Sequence, residues 1–356
     1  MKHTEYFFGA VSAKGFVSQF GGMYAPAEGW RTYIIKGGPG SGKSSLMKKV
    51  AKAAEKAGDA LVLGPCSSDP DSLDVVLLPE RKICIADGTA PHVLEPKFPG
   101  ACETIINMGD CWDGDQLAEK APEIIAAYQK NAAQHERVAR YISAAGALLN
   151  DNYRLALECT DNAKAGCFAT SVARREFGPA SRRRGREQVR LLSAVTPKGH
   201  LLLEDTIHKA CRRVYAVEDE NCAASRLILS VLRGAALDSG LDIITCPCSI
   251  HPEDKIEHLL IPSLSLAFCT SNAFHPIANA TRRIHARRFT DLSALGERKQ
   301  KMQFNKRAVK ELLSTACGIL ADAKASHDEM EAFYIDAMNF AKANKTAQAL
   351  IKKLYP

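Results

Sequence analysis

One run of residues near the start of the chain has the composition and spacing of a phosphate-binding loop. It reads Gly37-Gly38-Pro39-Gly40-Ser41-Gly42-Lys43-Ser44 and matches the pattern G-x-x-x-x-G-K-[ST] in full. Glycines let the backbone curl, so that consecutive N–H groups point at one phosphate. A helix that begins at the loop adds the positive end of its dipole. We therefore predict an anion-binding segment that extends through Ser45.

Two side chains of this run, and one further along the chain, have separate expected roles. Lys43 can reach the β- and γ-phosphates of a nucleotide as a mobile cation, and the Ser44 hydroxyl is placed to ligate Mg²⁺. A carboxylate at the end of a buried strand is also needed on the metal side, and Asp87 follows the apolar run 83–86. We predict Lys43 and Asp87 as catalytic residues, and Ser44 and Asp87 as the metal-side pair.

The elements around the loop predict an α/β fold. The apolar segment 32–36 reads as a strand, and 44–56 reads as the helix that follows the loop. Further strands are predicted at 60–64 and 83–87, whereas 65–78, rich in Ser, Asp and Pro, is predicted as a polar surface loop. Strands that alternate with helices favour a parallel sheet covered by helices.

The chain also contains an internal repeat, in which five blocks recur in the same order at a spacing of 182 to 184 residues. The matched blocks are 8–15 with 192–199, 33–36 with 215–218, 65–70 with 247–252, 78–79 with 261–262, and 90–92 with 273–275. The repeat makes 8–15 part of the fold rather than a cleaved leader. It predicts tandem duplicated P-loop-type parallel sheets flanked by helices.

A helical extension is predicted after each sheet. The segment 115–177 is rich in Ala and has apolar residues at helical spacing, which predicts two long helices in a hairpin packed on the first sheet. The segment 292–354 predicts an equivalent extension. The expected domains are a nucleotide-binding half at 1–176, a basic linker at 177–187, and a second half at 188–356.

The second half lacks the expected phosphate chemistry. An ungapped alignment on Tyr33 and Tyr215 pairs Gly37 with Asp219, Gly38 with Glu220, Gly42 with Ala224, Lys43 with Ser225, and Ser44 with Arg226. Thr270 stands where the first half has Asp87. Two carboxylates would repel a polyphosphate, and both the lysine and the metal-side acid are missing. We therefore predict one working site per chain and a silent second half.

The residue that would activate a water molecule is not evident. Gly88, rather than a glutamate, follows Asp87. The remaining candidates are Asp69, Asp71, Asp74 and Glu80, and the alternative is that these acids cap turns on a solvated surface. A further candidate, His92, recurs as His275, which favours a structural role in both halves.

Composition is that of a globular protein. The chain has 356 residues, of which 46% are hydrophobic and 24% charged, and no apolar stretch is long enough to span a bilayer. Its 12 cysteines are scattered, which favours reduced thiols and a cytoplasmic location. Part of the net charge of +7 lies in arginine clusters at 174–186 and 282–288. These clusters are either solvated faces or a surface for nucleic acid.

The loop in its strand and helix context resembles the P-loop NTPase superfamily. Nearly the whole chain resembles a bacterial family of ATPase-like proteins with two P-loop-type halves, and segments 36–44, 66–74 and 87–92 carry that resemblance. The superfamily resemblance implies that ATP or GTP binds with Mg²⁺, and the sequence has no base-reading motif that decides between them. The resemblance to the bacterial family implies ATP and its hydrolysis, but it supplies no substrate. The chain departs from the family pattern where the second P-loop should lie.

These observations predict an ATP-binding protein that is a slow or partner-stimulated Mg-dependent ATPase. The silent half would act as a scaffold or in-chain partner, and Arg226 and Arg282 are candidates to reach the γ-phosphate. The alternatives are a kinase that uses ATP on a small-molecule acceptor, and a nucleic-acid-associated nucleotide switch. A protein partner or acceptor is expected but not identified, and no membrane partner is expected.

Overall fold

The structure is a computed structural model that describes residues 3–356. In chain order, the first half contains β1 (His3–Glu5), β2 (Gly9–Ser12), β3 (Gly15–Ser18), β4 (Arg31–Lys36), α1 (Lys43–Ala57), β5 (Leu61–Pro65), β6 (Leu73–Leu78), β7 (Ile83–Asp87), β8 (Glu103–Asn107), α2 (Gly114–Glu119), α3 (Ala121–Leu157) and α4 (Asn162–Glu176). The second half contains β9 (Glu187–Val189), β10 (Ser193–Thr196), β11 (Gly199–Leu202), α5 (Glu204–Ala210), β12 (Arg213–Glu218), α6 (Ala223–Asp238), β13 (Ile243–Pro247), β14 (Ile256–Ile261), β15 (Leu266–Ser271), β16 (Arg282–His285), α7 (Leu292–Glu297), α8 (Lys299–Asp336) and α9 (Phe340–Leu354).

Each half builds a six-stranded sheet with the same strand order. The first sheet is ordered β1-β5-β6-β7-β4-β8, and the second is ordered β9-β13-β14-β15-β12-β16. The repeat seen in the sequence is therefore a repeat of topology. In each sheet one strand, β6 or β14, is antiparallel to both neighbours, while the other pairs are parallel. The sheets are mixed, and the prediction of parallel sheets was wrong in this respect.

The error comes from the segment 65–78, which we predicted as a loop throughout. Its second part, Leu73–Leu78, is strand β6, and the side chains from Val75 to Leu78 are fully buried. A turn of four residues joins β6 directly to β7, so the two strands must be antiparallel. The polar composition of 66–72 concealed the short apolar run that follows it.

The two sheets pack face to face and share one core. Along β6, Val75 and Leu77 belong to a cluster between the sheets, whereas Val76 and Leu78 face helices on the outer side. Strand β12 alternates in the same way, because side chains of successive residues point to opposite faces of a sheet. The molecule therefore has two outer helical layers with two sheets between them.

The helical extensions are exchanged between the halves. Helices α3 and α8 pack along each other. The helix that follows α3 packs on the second sheet, and the helix that follows α8 packs on the first. Ala169 and Val172 of α4 pack in the core of the second sheet, whereas Ala347 and Leu350 of α9 pack in the core of the first. The predicted hairpin packed on its own sheet is therefore wrong. The exposed segment 178–184 is the covalent link between two interlocked halves.

Candidate functional site

The glycine-rich loop 37–42 joins the end of β4 to the start of α1, as the sequence predicts. Gly40 and Gly42 have φ values of 65° and 82°, in the left-handed region that glycine adopts at no steric cost. Gly42 is the residue that precedes the helix. The first-turn amides of α1 have no partner within the helix, so they are available to an anion beside the loop.

The structure brings Lys43 and Asp87 together. The strands β4 and β7 are parallel neighbours, and Ile35 lies opposite Asp87 at the edge where the loop begins. The Lys43 ammonium donates to the carbonyl oxygens of Gly37 and Gly38, at 2.8 Å each, and lies 3.7 Å from Asp87 Oδ2. Lys43 is therefore folded back over its own loop and faces the carboxylate.

Asp87 and Ser44 are each held by a second contact. The backbone N–H and the hydroxyl of Thr89 donate to Asp87 Oδ1, at 2.9 and 2.6 Å, which leaves Oδ2 facing the lysine. The hydroxyl of Ser44 accepts a hydrogen bond from Leu73 N at 3.0 Å. The start of β6 therefore lies beside the first turn of α1.

The end of helix α8 covers the loop, which we did not predict. Gly40 N donates to Glu331 Oε1 at 2.9 Å. A Cβ atom on Gly40 would lie 2.9 Å from the Glu331 carbonyl oxygen and 3.0 Å from Ile335, and one on Gly38 would lie 3.0 Å from Tyr334. Because these two glycines have no side chain, helix α8 can pack closely against the loop, and the loop can also form its tight turn. No local sequence signal indicates a contact with a helix of the other half.

The four candidate water-activating acids are dispersed. Asp74 is buried, with Oδ2 3.2 Å from His92 Nε2, and Asp71 pairs with Lys198. Asp69 lies 3.9 Å from Lys324 of α8, on the side where Glu331 enters. Glu80 is wrong as a candidate.

Glu80 lies in the turn between β6 and β7, at the sheet edge opposite to the loop. The position after Asp87 cannot hold a side chain either. A Cβ on Gly88 would lie 2.4 Å from Ile34 Cγ2. A glutamate at this position would therefore require the packing around Ile34 to move.

The second half has a shorter loop than the ungapped alignment assumed. Strand β12 begins 182 residues after β4, but helix α6 begins only 180 residues after α1. Cys222 therefore matches Gly42, and both residues are left-handed, with φ of 59° and 82°. The pairings of Ala224, Ser225 and Arg226 were wrong, since Ala223 and Ala224 stand where Lys43 and Ser44 do.

Asp219 closes this shorter loop from within. Its Oδ2 accepts a hydrogen bond from Ser225 N at 2.8 Å, and Oδ1 accepts one from Asn221 N at 3.3 Å. The carboxylate thus uses amides at the start of α6 that an external anion would need. Thr270 lies opposite Val217 in the second sheet, just as Asp87 lies opposite Ile35 in the first. Thr270 therefore stands at the place of Asp87, as the sequence predicts.

A histidine–carboxylate pair occurs at the same place in both halves. His92 faces Asp74, and His275 faces Glu257, with 3.3 Å between Nε2 and Oε2. Burial opposes ionisation of Glu257, but the His275 and Lys255 side chains beside it hold its pKa below the usual range. Because the pair persists in both halves, its position supports the structural role that we expected for the histidines.

The two proposed arginines do not reach the glycine-rich loop. Arg226 lies over the ring of Tyr153, 3.8 Å from its centroid, and Arg282 is in the edge strand β16, 5.8 Å from the Tyr215 ring. Arg226 faces α3 at the start of α6, and Arg282 lies at the edge of the second sheet. From the second half, Glu331 and its neighbours on α8 approach the loop instead.

Several arginines of the two basic clusters have partners within the fold. Arg183 lies 3.8 Å from Asp242, and Arg186 pairs with Glu28. Beside the first cluster, Arg213 pairs with Glu176. In the second cluster Arg283 pairs with Glu218 at 2.8 Å. This pairing gives no support to a nucleic-acid surface.

No protein-family model, curated protein or solved structure matches the chain. None of the helices within residues 3–356 is both long enough and apolar enough to cross a bilayer.

Proposed function

We propose that the chain binds ATP with Mg²⁺ on the glycine-rich loop and hydrolyses it slowly or when a partner binds. One observation carries this proposal. Lys43, Ser44 and Asp87 meet at one sheet edge, around a loop that leads from a parallel strand into a helix. A flexible ammonium, a hydroxyl, a carboxylate and first-turn amides are the donors and ligands that a magnesium polyphosphate requires.

Each residue has a defined task in this proposal. The amides of residues 40–45 hold the phosphates, and Lys43 leaves the carbonyl oxygens of its own loop to neutralise them. Ser44 and Asp87 hold the metal ion, which neutralises charge that develops on the phosphates. The Glu331 carboxylate has to leave the Gly40 amide before a phosphate can use it.

A slow rate follows from the site's composition. A side chain at the position after Asp87 would clash with Ile34. Among the described residues, the carboxylates near the loop other than Asp87 belong to α8 or to the segment before β6. Activation of water would then depend on a movement that brings an acid to the γ-phosphate. The kinase alternative remains a prediction, because it differs only in the acceptor.

Calorimetry with the full-length protein and Mg-ATP tests the proposal. We expect one nucleotide per chain, at least a tenfold loss of affinity in Lys43→Ala, and no change in Lys52→Ala, an exposed lysine of the same helix. Asp87→Asn should reduce the dependence of binding on Mg²⁺. Binding that survives Lys43→Ala unchanged would refute the site, and two nucleotides per chain would refute a silent second half.

Phosphate release measured on the same samples separates the enzymatic alternatives. Release without any acceptor supports an ATPase. Tight Mg-ATP binding with no release, followed by release of ADP when candidate acceptors are added, would support the kinase instead.

A further inference from the structure

The second half contains a cleft at the place where the first half has its glycine-rich loop. The cleft lies at the start of α6 and next to the segment after β15, and it is closed on one side by the end of α3. The space inside it that a water-sized sphere can occupy is about 50 Å³. Tyr153 of α3 lines it, and Tyr153 matches Glu331 when α3 and α8 are aligned from their first residues.

Several buried polar atoms in this cleft have no hydrogen-bond partner within residues 3–356. They are both ring nitrogens of His200 and of His275, and Nε of Arg226. His275 is only 3% exposed, and its Nε2 lies near Glu257 without the alignment of a hydrogen bond. Buried polar groups are nearly always satisfied, so this concentration of unpaired atoms, in which each neutral imidazole has one N–H donor and one acceptor nitrogen, points to a ligand.

The charges around the cleft leave one cation without a partner. Lys255 donates to Glu257 at 2.6 Å, and Lys306 donates to Glu220, so these two lysines are compensated. Arg226 has no carboxylate within 4.0 Å in the described part of the chain. Its guanidinium carbon instead lies 3.8 Å from the centroid of the Tyr153 ring, so the contact that holds it is with an aromatic face rather than with an anion.

We propose that this cleft binds a small oxyanion, which is the carboxylate or phosphoryl group of a small molecule. Arg226 supplies the charge, and the imidazoles of His200 and His275 supply hydrogen bonds from the buried wall. The guanidinium offers a planar fork of N–H donors that matches both kinds of oxyanion. The site has therefore lost the polyphosphate loop but has kept an anion-binding position at the same edge of the sheet.

A nucleoside triphosphate does not fit this description. The loop is shorter than that of the first half, and the Asp219 carboxylate already binds an amide at the start of α6. A metal ion does not fit either. Within residues 3–356 the one group of three potential ligands that converge on a point is His327, Asp328 and Glu331, outside the cleft. A single oxyanion is the ligand class that the donors and the charge select.

The test uses the full-length Lys43→Ala protein, in which the first loop has lost its lysine and competes less well for anions. Inorganic phosphate and succinate are titrated separately by calorimetry at constant ionic strength. We expect one saturable site per chain for at least one of the two. Phosphate alone would identify a phosphoryl group, and succinate alone a carboxylate.

Variants then locate the site. Arg226→Gln should weaken binding at least tenfold, whereas Arg287→Gln, which changes an exposed arginine of the same half, should not. Hydrogen exchange on the Lys43→Ala protein provides a second readout that needs no change in the cleft. The anion should protect residues 222–226 and 272–275.

Absence of binding for both anions would overturn the proposal, and so would binding that Arg226→Gln leaves intact. Protection confined to residues 37–45 would also overturn it. Failure of the nucleotide experiment would not affect this result, because that experiment follows Mg-ATP at the first loop, whereas this one follows phosphate or succinate at residues 222–226 and 272–275.

Discussion

Glu331 and Gly40 are 291 residues apart, yet Glu331 Oε1 accepts a hydrogen bond from Gly40 N at 2.9 Å. The first residue belongs to the long helix of the second half, and the second belongs to the glycine-rich loop of the first half. A bound phosphate would need the same amide, and its charge would repel the carboxylate. If the loop binds phosphate as proposed, the second half holds it in a state that disfavours nucleotide.

Removing the charge of Glu331 should strengthen nucleotide binding. Glu331→Gln keeps the size of the side chain but replaces a charged hydrogen bond with a weaker neutral one. We expect the affinity for Mg-ATP, measured by calorimetry, to rise about tenfold, which corresponds to about 1.4 kcal/mol. Glu329→Gln is the matched control, because Glu329 is exposed on the same helix and faces Lys130.

Unchanged or weaker binding in Glu331→Gln would contradict competition between carboxylate and phosphate. A fall in turnover with unchanged affinity would also contradict it, and would indicate that Glu331 acts on the reacting water instead.

Gly88 should be intolerant of any side chain. In Gly88→Ala the new Cβ would lie 2.4 Å from Cγ2 of Ile34. Ile34 belongs to a fully packed strand, so the backbone has to move. We expect the free energy of unfolding, measured by urea denaturation, to fall by about 1–3 kcal/mol. Gly114→Ala is the control, since a Cβ there meets no atom within 4 Å. Equal losses in the two variants would refute the steric explanation.

The exchanged helices predict that the halves stay together after the link is cut. A protease site is inserted between Ala180 and Ser181, in the exposed link. After cleavage, both fragments should elute together at the volume of the uncut protein, because α4 and α9 remain packed on the opposite sheets. The uncut insertion variant is the control. Fragments that separate without denaturant would show that the exchange is wrong.

The buried histidines should make the fold less stable in acid. Burial lowers the pKa of His258 from 6.5 to about 4, and the Glu257 carboxylate offsets only part of this effect. The unfolded chain therefore takes up a proton before the folded chain does. Stability conferred by neutral His258 is fully present above pH 6.5 and is lost as the pH falls towards 4, by about 3 kcal/mol in total.

His258→Gln should accordingly flatten the decline of the unfolding free energy between pH 6.5 and pH 4, as measured by urea denaturation at a series of pH values. His285→Gln, at an exposed position of the same half, should leave the decline as it is. If the two variants decline equally, burial of His258 is not the cause.

Much of the fold was accessible from local patterns. The predicted strands at 32–36, 60–64 and 83–87 and the helix at 44–56 correspond to β4, β5, β7 and α1, with small shifts at their ends. Apolar periodicity and glycine placement fix such elements locally. The strand β6 was missed because its apolar run is short and follows a polar turn segment.

The sequence by itself determined the glycine-rich loop, the pairing of Lys43 with a strand-end carboxylate at Asp87, and the duplication of the chain. Those features depend on neighbouring residues and on repeated sequence blocks, whereas the order β7-β4 that brings Lys43 within 3.7 Å of Asp87 came from the structure. Only the tertiary structure decided that α4 and α9 exchange sheets, that the second loop is shorter, and that Glu331 binds Gly40. The physical reason is that these contacts depend on how two helices of 37 and 38 residues pack against each other, and no residue near the loop in the sequence carries that information.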